Sequence, residues 1–367
     1  MTDRLGQIFV ELCRIPSPSR HEGRVADYVR QRVAALGLAV EEDNAGTALE
    51  SDTGNLIVRT EGTGKPLLLT AHMDTVPPSP VDGQVPVVVD GDRVHTGGRS
   101  VLGGDDKAGV AIALELLADA ARSPAAYRPL DVVFTVQEEL GLRGAEHLDA
   151  ARLRAQQGFV LDGDTCVGEA IHHAPFKARF TIDVTGRAAH AAVNPEDGIN
   201  AIKAVGAIAA HLPTGRLSAT SIANLGKIEG GGVINVVPAH ARLIGEARSL
   251  QPDELDALHQ QIEQIALAQA RLRSASAACA WTLLYPGYHV PESAPIAVLF
   301  REACAQVGLD AAFSASSGGG DANQFNAKGI ACIVFGLGMQ RIHTPDEWIL
   351  LSDLDRALAI LRHACRA

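Results

Sequence analysis

Five short stretches carry side chains able to bind a metal or move a proton. They are Ala71-His72-Met73-Asp74, Gly103-Gly104-Asp105-Asp106-Lys107-Ala108-Gly109, Gln137-Glu138-Glu139, Leu161-Asp162-Gly163-Asp164 and Ile342-His343-Thr344-Pro345-Asp346-Glu347. An imidazole such as His72 can ligate a metal through one nitrogen while a carboxylate two residues on, Asp74, holds the other; an ordinary turn histidine has the same spacing. Asp105 and Asp106 open an apolar helix, where one carboxylate serves as a cap and a carboxylate bridging two metals would account for the second. In Glu138-Glu139 one member can bind metal while its neighbour acts as general base; the bland alternative is a solvated acidic loop. Asp162 closes a predicted strand, a place where Asp also favours a turn. Together the stretches offer two histidines, several carboxylates and no thiolate. That donor set suits a dinuclear site for a hard-to-borderline cation, zinc first, with manganese or cobalt as alternatives.

Such groups act together only if a scaffold gathers them. Apolar runs predict strands over 55–58, 67–71, 132–136 and 159–161, and a long helix over 107–122. The candidate groups lie just past strand ends or at a helix start, where open α/β sheets bind ligands. Ser19-Arg20-His21-Glu22 has the form of a capping box ahead of a helix ending near Gly37, a residue suited to positive φ. Past residue 175, Phe180, Ile182 and Val184 alternate with polar residues, the mark of a half-exposed strand. A helix over 198–212, strands over 220–228 and 240–249, a helix over 253–273 and a strand over 277–284 complete a β-α-β-β-α-β, ferredoxin-like order. A helix over 296–307, a strand over 331–335 and a helix over 352–365 return to the first pattern. The expected fold is therefore α/β, a mainly parallel sheet with helices on both faces, with an inserted α+β domain. Its parts are 1–174 and 287–367 for the catalytic domain and 175–286 for the insert.

The composition fits a globular chain of 367 residues with 47% hydrophobic and 20% charged residues. A net charge of −11 argues against nucleic-acid binding and against docking on an acidic membrane. No apolar run is long enough for a membrane span, and the N-terminus shows no signal-peptide core. The six cysteines, Cys13, Cys166, Cys279, Cys304, Cys332 and Cys365, have no zinc-knuckle or redox spacing. The expectation is reduced thiols in a cytoplasmic protein.

The five stretches, in this order, resemble the metallopeptidase family of peptidase T, carboxypeptidase G, the aminoacylases and succinyl-diaminopimelate deacylase. Gly-Gly-Asp-Asp-Lys-Ala-Gly and Glu246-Ala247-Arg248-Ser249 are most similar to peptidase T-like proteins. The resemblance implies that His72 and Asp162 bind one metal, Glu139 and His343 the other, and that Asp105 bridges them. It makes Glu138 the general base and Asp74 the group that orients His72. The insert becomes a lid and dimerisation domain, carrying His190 for the oxyanion, Arg248 for a substrate carboxylate and Asn235 as a further substrate contact. Gly318-Gly319-Gly320-Asp321 falls where backbone amides could line the pocket.

The implied enzyme hydrolyses amide bonds with two metals, as an aminopeptidase-like exopeptidase on di- and tripeptides, and works as a homodimer. The alternative with the same metal site is an N-acyl amino acid deacylase or a carboxypeptidase. A dinuclear phosphoesterase would need more basic groups than Arg248 and Lys107. A non-enzymatic metal binder would have no use for the base at Glu138.

Overall fold

The computed structural model describes residues 4–80 and 83–367. The chain forms two compact units: one takes in the chain up to His173 with His289–Ser316 and Gly320–Ala367, the other Ala174–Tyr288 with Ser317–Gly319.

The first unit is built on a nine-stranded mixed sheet whose centre is parallel. Its four central strands run in the order Leu130–Thr135, Leu67–His72, Gln157–Gly163, Ala331–Gly336. Leu67–His72 and Leu130–Thr135 are buried along their whole length, as strands covered on both faces require. The helix Gly104–Arg122 packs on three of these strands and is buried over most of its length. Its small residues explain the close approach: a Cβ at Gly109 would stand 2.2 Å from the Leu161 carbonyl oxygen.

The helix expected after Ser19-Arg20-His21-Glu22 is present as Gly23–Ala34, and Gly37 has φ +74°. The capping box itself is not formed: the Glu22 side chain makes no capping bond, and the first helical N–H, that of Gly23, donates to Asp52 Oδ1 at 2.8 Å. Ser19 Oγ donates instead to Asp74 Oδ2 at 2.7 Å, and the buried Glu22 carboxylate accepts from Gln137 N at 3.1 Å and Ser51 Oγ at 2.6 Å. Tertiary partners outcompete the local cap because they satisfy donors that would otherwise be buried unpaired. The strands Glu169–Ala174 and Ala312–Ala315, the helix Asp321–Ala327 and a small sheet of Val88–Asp90, Arg93–His95 and Trp348–Leu350 were not expected from the sequence. They are short and carry little apolar periodicity.

The second unit follows the β-α-β-β-α-β order: Phe176–Thr185, helix Ala201–His211, Ser221–Gly230, His240–Ser249, helix Pro252–Arg271 and Ser276–Tyr285. In space the strands lie Ser221–Gly230, His240–Ser249, Phe176–Thr185, Ser276–Tyr285, each pair antiparallel. Phe180, Ile182 and Val184 pack with Ala204, Ile208, Leu258 and Ile262 of the helices. Each fully buried side chain of this size contributes about 1.5–3 kcal/mol. The alternate positions, Arg179, Thr181 and Asp183, face away from that core.

Candidate metal centre

The strand Leu67–His72 ends on His72, and Met73 N still bonds to Thr135 O at 2.9 Å, which holds the following turn against the neighbouring strand. Gln157–Gly163 carries Asp162, and Asp105 stands at the start of Gly104–Arg122. Glu138 and Glu139 follow Leu130–Thr135 through Gln137, which has φ +52°; His343, in the loop after Ala331–Gly336, has φ +63°. Left-handed conformations at non-glycine residues are unfavourable and persist where surrounding contacts demand them.

These elements bring the five expected ligands together. The Asp105 carboxylate lies between two imidazoles, Oδ1 at 2.9 Å from His72 Nε2 and Oδ2 at 2.9 Å from His343 Nε2. His72 Nε2 is also 3.5 Å from Asp162 Oδ1, and His343 Nε2 is 2.9 Å from Glu139 Oε1. Each imidazole therefore has a carboxylate of its own and shares Asp105 with the other. Ligand atoms of His72, Asp105 and Glu139 fall within 4.8 Å of one another, as do those of His72, Asp106 and Asp162.

Burial and mutual repulsion act on the acidic groups of this ring. Burial, together with the charge of Asp105, pushes Asp162 up to about 8. Burial also raises Glu138 well above the usual carboxylate range, with Asp162, Asp321 and Glu139 adding to the rise. Hydrogen bonds with Asp105 and Glu139 lift His343 to about 10. Burial alone would lower His72, yet Asp162, Asp105 and Asp74 carry it well above its ordinary value. Two imidazoles and three carboxylates converge here, Asp105 between the two rings, and burial opposes the ionised forms of Asp162 and Glu138; a pair of divalent ions would balance such a donor set, so the residues present fit the metals.

Asp74 is wired more widely than its spacing from His72 suggests. His72 Nδ1 lies 2.9 Å from the Asp74 main-chain oxygen and 3.5 Å from its carboxylate. The carboxylate accepts from Glu138 N at 2.9 Å, Glu139 N at 3.2 Å and Ser19 Oγ. One residue thus fixes the imidazole through its backbone and the Glu-Glu pair through its side chain. Asp106, fully buried, accepts from His72 N at 3.1 Å and Gly109 N at 3.0 Å. Sequence reasoning assigned nothing to Glu347, whose buried carboxylate accepts from Leu102 N, Gly103 N and Asp105 N at 2.8, 2.9 and 3.1 Å. Its place in the His343 stretch was visible; its partners, more than 240 residues away, were not.

His190, Asn235 and Arg248 belong to the second unit. His190 is exposed, and its Nδ1 accepts from Ala192 N at 3.2 Å and Val193 N at 3.1 Å. With Nδ1 an acceptor, the neutral ring carries its proton on Nε2. Asn235 lies on the loop beside it, where its main-chain oxygen accepts from Ala191 N at 2.9 Å. The Arg248 guanidinium contacts Glu246 Oε1 through Nε at 3.0 Å and Nη2 at 2.9 Å, and Nη1 donates to Ser317 O at 3.3 Å.

A mainly parallel sheet holding histidines and carboxylates at its strand ends, with a separate antiparallel unit, defines a metal-dependent hydrolase of the peptidase type. The pattern of Peptidase family M20/M25/M40 matches residues 68–367. The chain is 32% identical over 369 residues to the uncharacterized protein YqjE of Bacillus subtilis (strain 168), covering 99% of both chains. Among solved structures it is similar to aminopeptidase PepT from Bacillus cereus ATCC 10987, at 29% identity and TM-score 0.89 over 100% of this chain and 98% of that one. A tripeptidase from Staphylococcus aureus is equally similar in sequence, 29%, with TM-score 0.92 over 100% and 98% of the two chains. The chain belongs to Peptidase family M20/M25/M40.

Proposed function

We propose that the protein is a two-metal exopeptidase that removes the N-terminal residue from di- and tripeptides. The observation that carries this reading is the Asp105 carboxylate set 2.9 Å from two different imidazoles, each with its own further carboxylate. The likeness to an aminopeptidase and a tripeptidase along the whole chain supports the substrate class.

In this reading His72 and Asp162 hold one cation, Glu139 and His343 the other, and Asp105 serves both. The nitrogen and oxygen donors favour zinc, with manganese and cobalt next. When bound, two such cations lower the pKa of an attacking water and polarise the scissile carbonyl. Glu138 takes the proton of that water on its carboxylate and passes it to the leaving amine. Its half-buried carboxyl, raised well above the usual carboxylate range, suits a group that must both accept and return a proton. Asp74 keeps the Glu138 backbone and the His72 ring in register. His190 offers its Nε2 proton to the oxyanion, Asn235 contacts the substrate, and Arg248 anchors the substrate carboxylate through the N–H groups not engaged by Glu246 and Ser317. The second unit then acts as a lid.

A homodimer is part of the proposal. Ile234 is 100% exposed, Val193 75% and Val233 66%, an apolar group on the loops around His190 and Asn235 that a second copy would cover. Sedimentation of the wild type as a dimer, and of Ile234→Asp as a monomer, would bear this out; a wild-type monomer would remove it. The six cysteines are all free thiols, which supports a cytoplasmic location; recovery of the protein outside the cytosolic fraction of its source cells would overturn that. Among the described residues no helix is long and apolar enough to cross a membrane.

The test of the activity is hydrolysis by metal-reconstituted protein of free dipeptides, free tripeptides and N-acetyl amino acids, each with a chelated control. Chelator-sensitive release from substrates with a free amine is expected. Preference for the N-acylated set would make it a deacylase or carboxypeptidase, and cleavage of neither would overturn the reading. Metal analysis of the purified protein identifies the cation.

A further inference from the structure

The second unit's sheet has one face packed on two helices and one face without them, and the helix-free face is basic beside Arg248. Ala178, Phe180 and Ala247 are buried in the helix-side core. Alternation therefore sends Lys177, Arg179, Glu246 and Arg248 to the other face. The register sets Lys177 directly opposite Arg248 and Arg179 opposite Glu246. Glu246 binds both neighbours, Oε2 at 3.1 Å from Lys177 Nζ and Oε1 at 2.9 Å from Arg248 Nη2. Among the described residues Arg179 has no acidic partner. Three cations, Lys177, Arg179 and Arg248, thus face a single carboxylate on a chain whose overall charge is −11.

The next strand is shaped to complete this surface. Asn224 pairs with Glu246 and Leu225 with Gly245, but Lys227 pairs with Ile244, so Gly226 is an extra residue, a bulge. In a regular strand Asn224 and Lys227, three apart, would point to opposite faces. The bulge turns both to the basic face, a common way for a strand to re-aim a side chain. The result is a depression of about 250 Å³ lined by Lys177, Arg179, Asn224, Lys227, Glu246 and Leu284. That is below the ~300–1,000 Å³ of sites for drug-sized ligands and has room for one carboxylate-bearing side chain. Lys227 Nζ is paired with Glu229 at 2.5 Å, so the unbalanced charge rests with Lys177 and Arg179 beyond what Arg248 uses.

We infer that this depression is a specificity subsite for a second carboxylate of the substrate, the acidic side chain of a C-terminal Asp or Glu whose α-carboxylate is held by Arg248. The inference rests on the proposed role of Arg248. Glu246 holds Lys177 and Arg248 in place and limits the local charge, while Arg179 and Lys177 supply the donors for the second anion.

The test uses the metal-loaded full chain. Calorimetry compares binding of N-acetyl-glutamate with N-acetyl-glutamine, and kcat/KM is measured for tripeptides ending in Glu and in Gln. The acidic member of each pair is expected to be favoured roughly tenfold, through KM in the turnover experiment, as one charge-assisted hydrogen bond would give. Arg179→Met and Lys177→Met should each bring that ratio toward one. Equal affinity for the two probes, binding of neither, or a ratio unchanged in both variants overturns the subsite. Glutamate-selective binding without turnover of any peptide overturns the exopeptidase reading and leaves the subsite standing. Turnover without selectivity does the reverse.

Discussion

Glu347 accepts a hydrogen bond from the backbone N–H of Asp105 at 3.1 Å, joining the loop that carries His343 to the loop that carries the shared carboxylate. The same carboxylate holds Leu102 N and Gly103 N, so three donors of the Asp105 loop converge on one side chain. Partners of this kind set the orientation of a ligand without touching the metal. Glu347→Ala is expected to lower metal affinity about 10- to 100-fold. Glu347→Gln retains an oxygen acceptor and should fall between the two. A competition titration against a chelating dye reads the effect directly; unchanged affinity in Glu347→Ala would remove the positioning role.

The two adjacent aspartates should separate cleanly by phenotype. Asp105 touches both imidazoles, whereas Asp106 accepts from two backbone N–H groups in a fully buried place. Asp105→Ala should abolish stoichiometric metal binding. Asp106→Ala leaves the His72 and Gly109 amides without their partner and should cost about 1–3 kcal/mol of folding stability. Denaturant titration and metal analysis on both variants check the contrast, and equal metal loss in the two would contradict it.

Much of the centre was legible because its chemistry demands particular residue types at strand ends. His72, Asp162 and the Glu138-Glu139 pair each follow or close an apolar run that could be read locally. What escaped was carried by long-range partners or by chemistry identical to a local motif. Ser19 and Glu22 have the composition of a helix cap, and only the fold reveals that Asp74 and Gln137 claim them. The strand Glu169–Ala174 contains two histidines and pairs on one side antiparallel to Ala331–Gly336, so neither periodicity nor composition marked it. The bulge at Gly226 interrupts a strand that reads as continuous, and its one local sign is an isolated glycine.

Metal binding should release protons near neutral pH. His343 is lifted to about 10 by Asp105 and Glu139, and Asp162 is pushed up to about 8 by burial and the charge of Asp105, so both carry protons in the metal-free chain at pH 7. For a histidine whose folded pKa is raised, the stabilisation is complete below about 6.5 and is lost as pH rises through the folded value. For the raised Asp162, the unfolded chain ionises near 3.9 while the folded chain holds its proton, so stability also falls as pH rises, up to about 8. Both signs agree. The melting temperature of chelated protein should fall between pH 5 and pH 9, and that of metal-loaded protein should fall less. Calorimetry of metal binding in buffers of different ionisation enthalpy measures the released protons; none at pH 7 would contradict the assignment.

Glu138 is the group whose removal should separate binding from turnover. Its backbone N–H is held by Asp74 Oδ1 at 2.9 Å, and the site's cross-linked contacts run through His72, Asp105, Asp162, Glu139 and His343 without it. Glu138→Ala should therefore keep its metals and its substrate affinity while kcat falls about 10²- to 10⁴-fold, the usual contribution of general acid–base catalysis. Glu138→Gln preserves the shape but cannot take a proton and should be as inactive, whereas Glu138→Asp should retain part of the rate. Loss of metal from Glu138→Ala would move this residue into the ligand set, and full activity in Glu138→Gln would assign the proton transfer to another group.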